Sequence, residues 1–277
     1  GFKFRRSAFR GQEPKVTLMA PPSLQASSNK RIAVDFSVNS MTPLYNAALM
    51  NECGRLDLRA KSLILLVRRW AKDRGVCHAA KGHLAPYAWT LLAIYFLQTV
   101  GAEGSPVLPP LLGSKTDSGV AVRRGAEPGA RRSGGKSGSP AEAKTLQATE
   151  APAAELLVGD LFVRFVRFYA QEFDWCKEAV SVRVGRRASA NLHLMLHVIV
   201  HEDQSTEVGP SIEDPFEPAR NLGMSTTSVG MARLREEFAR AWALTSRGAS
   251  LSELLEPWAP AERAQGCSSD EGGDREE

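Results

Sequence analysis

The spacing of hydrophobic and polar positions changes several times along the chain, and each change predicts an element. In RIAVDFSVN, residues 31 to 39, Ile32, Val34, Phe36 and Val38 alternate with Ala33, Asp35, Ser37 and Asn39, the period-two pattern of a β-strand. Over 56 to 74 the period lengthens. Leu63, Leu66, Val67 and Trp70 fall at i, i+3, i+4 and i+7, predicting an amphipathic helix that stops at Gly75. Arg68 and Lys72, four apart, share one face of it. PYAWTLLAIYFLQTV, 86 to 100, starts on a proline suited to a first helical turn and is apolar nearly all round, so this helix is expected to be buried. ELLVGDLFVRFVRFYAQEF repeats Leu161, Phe162, Phe165, Val166 and Tyr169 at helical spacing, and MARLREEFARAWALT predicts a further amphipathic helix. In NLHLMLHVIVHE the alternation of Leu192, Leu194, Leu196, Val198 and Val200 predicts a strand. His193, His197 and His201 then sit roughly 13 Å apart along it, too far to share one zinc.

Two segments carry no such pattern. Residues 113 to 145 hold seven Gly and seven Lys or Arg, with no aromatic and no Leu, Ile or Phe, and are expected to be a disordered insertion. Within them ARRSGGKS fits a loose phosphate-binding loop, but no apolar strand leads in and no helix leads out, so it is linker composition. The tail SSDEGGDREE has five acids and one Arg, and is also expected to be disordered.

The chain has 277 residues, 43% hydrophobic and 24% charged, enough for one large domain or two small ones. Apolar runs such as LILLV are far too short to cross a bilayer, so no membrane association is expected. Four dispersed cysteines fit neither a zinc site nor a disulfide scaffold and point to a reduced, intracellular protein, expected in the cytoplasm with the nucleus or an organelle left open. The net charge is +4, and removing the acidic tail leaves +8 on the first 267 residues, which suits a polyanionic partner. Asp35 stands out because Asp is depleted in strands: it either faces plain water or is held there for its charge.

Taken in order, VDFSVNSMTPLYNAALM, LILLVRRWAKDRG, GHLAPYAWTLLAIYFLQ, PVLPPLL, LLVGDLFVRFVRFYAQEFDW and IEDPFEPARNLG resemble the noncanonical poly(A) polymerases and terminal uridylyltransferases, over about 32 to 112 and 155 to 245. The resemblance implies an α+β fold, the remnant of a nucleotidyltransferase palm sheet followed by a mainly helical central domain. It divides the chain into a palm part at 1 to 40, a helical part at 41 to 112, the insertion at 113 to 151, a second helical part at 152 to 258 and a tail at 259 to 277. The implied activity is template-independent addition of UMP, slightly favoured over AMP, to an RNA 3′ end by two-metal phosphoryl transfer with Mg²⁺ or Mn²⁺. By the same resemblance Asp35 is a catalytic, metal-holding carboxylate and Asn46 contacts the ribose. Arg68 and Lys72 reach the triphosphate, Tyr87 stacks on the base, and Asp214, Glu217 and Arg220 lie where the base edge is read. The expected partners are an RNA 3′ end and UTP or ATP, and the protein is expected to act as a monomer.

Several positions depart from the family pattern. Arg68 stands where Lys is usual, and Pro86 where a Ser normally bonds the phosphates. Arg220 occupies a position where uridine-selective members often carry His, which leaves UTP and ATP both open. The paired aspartates that belong upstream of Asp35 are missing, since residues 1 to 34 contain no Asp. Either the sequence lacks an N-terminal part, or this is a noncatalytic RNA- or nucleotide-binding relative.

Overall fold

The structure, a computed structural model, describes residues 1–9, 14–21, 32–38, 42–100, 105–111, 157–190 and 192–259. The expected insertion and acidic tail lie outside these residues, apart from Ala259. The fold is α+β, and the chain divides into two compact units, Gly1–Leu56 and Asp57–Glu277.

The first unit is a three-stranded antiparallel sheet, β1 (Lys3–Ala8), β2 (Lys15–Met19) and β3 (Ala33–Ser37), followed by helix α1 (Thr42–Leu56). The register places Arg6, Thr17 and Asp35 in one line across the strands, and Phe4, Leu18 and Val34 in another. Successive side chains alternate faces, so one face is polar around Asp35 and the other apolar. Phe2 and Phe36 meet edge-on at 6.1 Å.

The second unit opens on α2 (Leu58–Asp73). The helix expected over 56 to 74 starts two residues later because Asp57 interrupts it, its carboxylate accepting from the Arg59 N–H at 2.8 Å as an N-cap. Gly75, at φ +72°, follows the helix end as expected. Helix α3 (Pro86–Thr99) is buried from Ala88 to Gln98. Helix α4 (Val158–Arg167) runs on into a π-turn, Phe168–Glu172. Short strands β4 (Glu178–Val180), β5 (Ala188–Ser189), β6 (Val198–Val200), β7 (Thr206–Val208) and β8 (Ser211–Ile212) come next, then α5 (Ser228–Ser246) and α6 (Leu251–Leu254). Strand β4 lies between β5 and β8, pairing with β8 in parallel, and β6 pairs with β7.

The strand expected across 192 to 200 is cut to Val198–Val200, so the three histidines do not share a strand face. His197 bonds the Thr226 carbonyl through Nε2 at 2.6 Å, while His201 bonds Glu207 at 3.0 Å. These separate tertiary bonds overrode the alternation.

Helices α2, α3, α4 and α5 share an aromatic core. The Trp70 ring lies 5.5 Å from Trp89, 5.7 Å from Phe162 and 5.3 Å from Phe238, and all four side chains are buried. Several buried polar groups in it are paired, as low polarity demands: the Tyr169 hydroxyl donates to the Leu92 carbonyl at 2.9 Å, and Glu237 takes Arg74 and Arg233 at 2.9 Å each, whereas the buried Trp70 Nε1 has no hydrogen-bond partner among the described residues. Among the described residues no helix is long and apolar enough to cross a membrane.

Candidate functional site

In the second unit three features converge. Tyr87 sits in the first turn of α3, where Pro86 fixes the helical φ and holds Ala85 extended before it. Its ring is half-buried, and its hydroxyl is buried with no hydrogen-bond partner among the described residues. The phenol is pushed far above its ordinary range, first by burial and then by the nearby Asp214 charge, with Arg220 opposing. Tyr87, Asp214 and Arg220 thus share one neighbourhood although they are distant in sequence.

Asp214 and Arg220 belong to a tight loop between β8 and a 3₁₀ turn, Leu222–Ser225. Asp214 is 1% exposed. Its Oδ1 accepts from the Phe216 N–H at 3.0 Å, and its Oδ2 lies 3.6 Å from the Arg220 guanidinium. Burial outweighs these partners and raises the carboxyl above its ordinary value. Glu217 is exposed at the loop tip, where its carbonyl accepts from the Arg220 N–H at 2.8 Å. Glu213, the residue before Asp214, is tied to the strand layer by the Ser181 hydroxyl and by Arg183 at 2.6 Å. Asn221, which the sequence reading passed over, closes the other end of the loop. An Asn next to Leu-Gly is a turn signal that could have drawn attention to it.

Arg68 and Lys72 lie on the outer face of α2, Arg68 half-buried and Lys72 exposed. Both charges act on Cys77: burial raises its thiol, and the two cations oppose that rise. The sequence reading gave Cys77 no part in this face, because only the turn after α2 folds it back.

In the first unit, Asp35 is half-exposed on the polar face of the sheet. Its Oδ2 takes the Lys15 ammonium at 2.9 Å and its Oδ1 the Thr17 hydroxyl at 2.6 Å. The Thr17 bond first, then Lys15, holds its carboxyl below the ordinary range. Asn46 lies on α1, half-buried, with its Oδ1 buried and unpartnered among the described residues.

The family profile described as Cid1 family poly A polymerase matches residues 158–220, which include Asp214, Glu217 and Arg220. The chain is 25% identical over 225 residues to poly(A) RNA polymerase GLD2-A of Xenopus laevis, covering 80% of this chain and 39% of that protein. It is 27% identical over 213 residues to terminal uridylyltransferase cid1 of Schizosaccharomyces pombe, covering 74% and 48%. It therefore spans less than half the length of these relatives. A crystal structure of the Cid1 poly(U) polymerase with Mg 3′-dATP bound superposes with a TM-score of 0.63 at 23% identity, over 93% of this chain and 72% of that one. Cid1 in complex with its short product ApU gives 0.61 at 22%, over 93% and 73%. The structural likeness shows the fold, and the family profile over 158–220 together with the sequence matches makes the chain similar to the noncanonical poly(A) polymerases and terminal uridylyltransferases.

Proposed function

We propose that this chain is the nucleotide-holding part of an RNA 3′-terminal nucleotidyltransferase that transfers UMP or AMP from the triphosphate. The observation that carries the reading is that the charges of Asp214 and Arg220, themselves 3.6 Å apart, act on the buried Tyr87 hydroxyl in the first turn of α3. A rigidly held aromatic ring offers a π-face to any base. The Arg220 guanidinium and the carboxylates of Asp214 and Glu217 supply donors and acceptors for its edge. Arg68 and Lys72 add two cations one turn apart for the triphosphate.

The groups around Asp35 do not fit a Mg²⁺ or Mn²⁺ site. Mg²⁺ keeps near-octahedral oxygen ligation and commonly takes one or two carboxylates plus phosphates. Asp35 already faces the ammonium of Lys15, with the charge of Arg6 close by. Among the described residues no group of three His, Cys, Asp or Glu could hold a metal. That favours a second reading, in which these residues bind nucleotide without performing the transfer, and the transfer depends on further carboxylates such as the paired aspartates absent from residues 1 to 34.

Equilibrium dialysis with labelled UTP and ATP tests the site. Tyr87→Ala is expected to weaken both nucleotides by roughly 1–3 kcal/mol, and Arg220→His to shift preference toward UTP. Wild-type affinities in Tyr87→Ala would end the reading. A labelled RNA oligonucleotide incubated with the chain, Mg²⁺ and each triphosphate tests the binding-only reading. No extension is expected from this chain alone, and robust extension would eliminate the binding-only alternative.

A further inference from the structure

We infer that Asn221 is the positioning residue of the base-edge loop: its carboxamide holds Arg220 in register with Asp214, so that recognition of the base, and not of the triphosphate, depends on it. The inference rests on the reading of that loop given above. Asn221 is 6% exposed and spends its side chain wholly on backbone. Its Oδ1 accepts from the Ile212 N–H at 3.0 Å and the Gly223 N–H at 2.8 Å, and its Nδ2 donates to the Met195 carbonyl at 3.1 Å. One amide therefore joins the strand that enters the loop, the turn that leaves it, and the segment before β6. An aliphatic side chain can do none of this, and a carboxylate would face the Met195 carbonyl without a proton to give.

The two ends of the loop are held unequally. The entering end is fixed to β4: the Glu213 N–H donates to the Val180 carbonyl at 2.9 Å, and the Glu213 carboxylate takes Ser181 and Arg183. The leaving end is joined to the entering end by the Glu213–Asn221 bridge and the Asp214 N–H bond to the Arg220 carbonyl at 3.1 Å. Asn221 supplies the side-chain bonds at that rung. The fit is close, because a Cβ built on Gly223 would lie 1.8 Å from the Pro210 carbonyl oxygen. Loss of the amide leaves the leaving end, and Arg220 with it, held only by the Glu213–Asn221 bridge and the bonds between Arg220, Asp214 and Glu217, and so loosens it, while Asp214 stays with the β4-anchored end. Arg68 and Lys72, on α2, are untouched by that change.

The test compares UTP, ATP and inorganic tripolyphosphate, a probe without a base, on the full chain and its Asn221→Ala and Asn221→Asp variants. Asn221→Ala is expected to weaken both nucleotides about fivefold, the weight of one or two hydrogen bonds, and to leave tripolyphosphate binding as in the wild type. Asn221→Asp is expected to bind nucleotides as weakly as the Ala variant at pH 8 and to recover as the pH falls. A protonated carboxyl can donate to Met195, and the same polypeptide is then compared with itself even where Asn221→Ala folds poorly. Equal weakening of all three probes, or unchanged nucleotide affinity, would overturn the positioning role. Wild-type binding of UTP and ATP no tighter than tripolyphosphate would instead overturn the base site, and the inference with it.

Discussion

Asp35 and Asp214 are the same residue type driven in opposite directions. Asp35 lies half-exposed with two donors aimed at it, and its charge is favoured. Asp214 is enclosed, and the cost of removing a carboxylate from water exceeds what the Phe216 N–H and Arg220 return. The pH consequence follows from linkage. A carboxyl whose folded pKa stands above its ordinary 3.8 contributes stability that is full below that value and is lost as pH rises through the folded pKa. At pH 7 the Asp214 charge is therefore destabilising. Asp214→Asn, which keeps an oxygen to accept from Phe216, is expected to raise the melting temperature at pH 7. The gain over wild type should shrink as pH is lowered toward 4, as thermal melts across that range would show. A gain that is independent of pH, or none at all, would contradict this account. The carboxylates themselves are plain in the sequence; their environments depend on neighbours that no local pattern reveals.

Among the elements, α2, α3 and α5 follow from periodicity because each buries a stripe, or nearly its whole surface, in one core. Helix α1 was less legible: it belongs to the sheet unit, and only a few of its positions, such as Leu49 and Cys53, are buried among exposed and half-buried ones. The His-containing strand was over-read, since its alternating residues serve separate contacts. The aromatic core gives a direct test of helix packing. Phe238, 1% exposed on α5, touches Trp70 at 5.3 Å, Tyr169 at 5.5 Å and Trp175 at 5.8 Å. Phe238→Ala is expected to cost about 3–5 kcal/mol in urea unfolding. Val229→Ala, at a 72% exposed position of the same helix, should change stability by less than about 0.5 kcal/mol. Similar losses at both positions would refute the assignment of the buried face.

At the scale of the whole molecule, three cysteines report on three environments. Cys53 in the sheet unit is buried, and burial pushes its thiol up to about 12. Cys77 lies by the Arg68 and Lys72 face, and Cys176 is in contact with Arg235 at 3.6 Å and Glu207 at 3.8 Å. Thiolate is the reactive form, so partly exposed Cys77 and Cys176 are expected to react with iodoacetamide well before Cys53. UTP should slow labelling of Cys77 and leave Cys176 unchanged, as peptide mass spectrometry would record. Protection of Cys176 alone would move the triphosphate away from α2.

What the sequence by itself determined is what depends on neighbours along the chain: the strand around Asp35, the helices that carry Arg68, Lys72 and Tyr87, the stop at Gly75, and the likeness to the Cid1 family profile over 158–220. Their periods are set by local geometry, so they survive reading in one dimension. The tertiary structure alone decided which groups act on one another: the charges of Asp214 and Arg220 on Tyr87, Lys15 and Thr17 on Asp35, and Asn221 across the mouth of its loop. Those contacts join residues far apart in the chain, and they set the charges, by burial at Asp214 and by the Thr17 and Lys15 donors at Asp35.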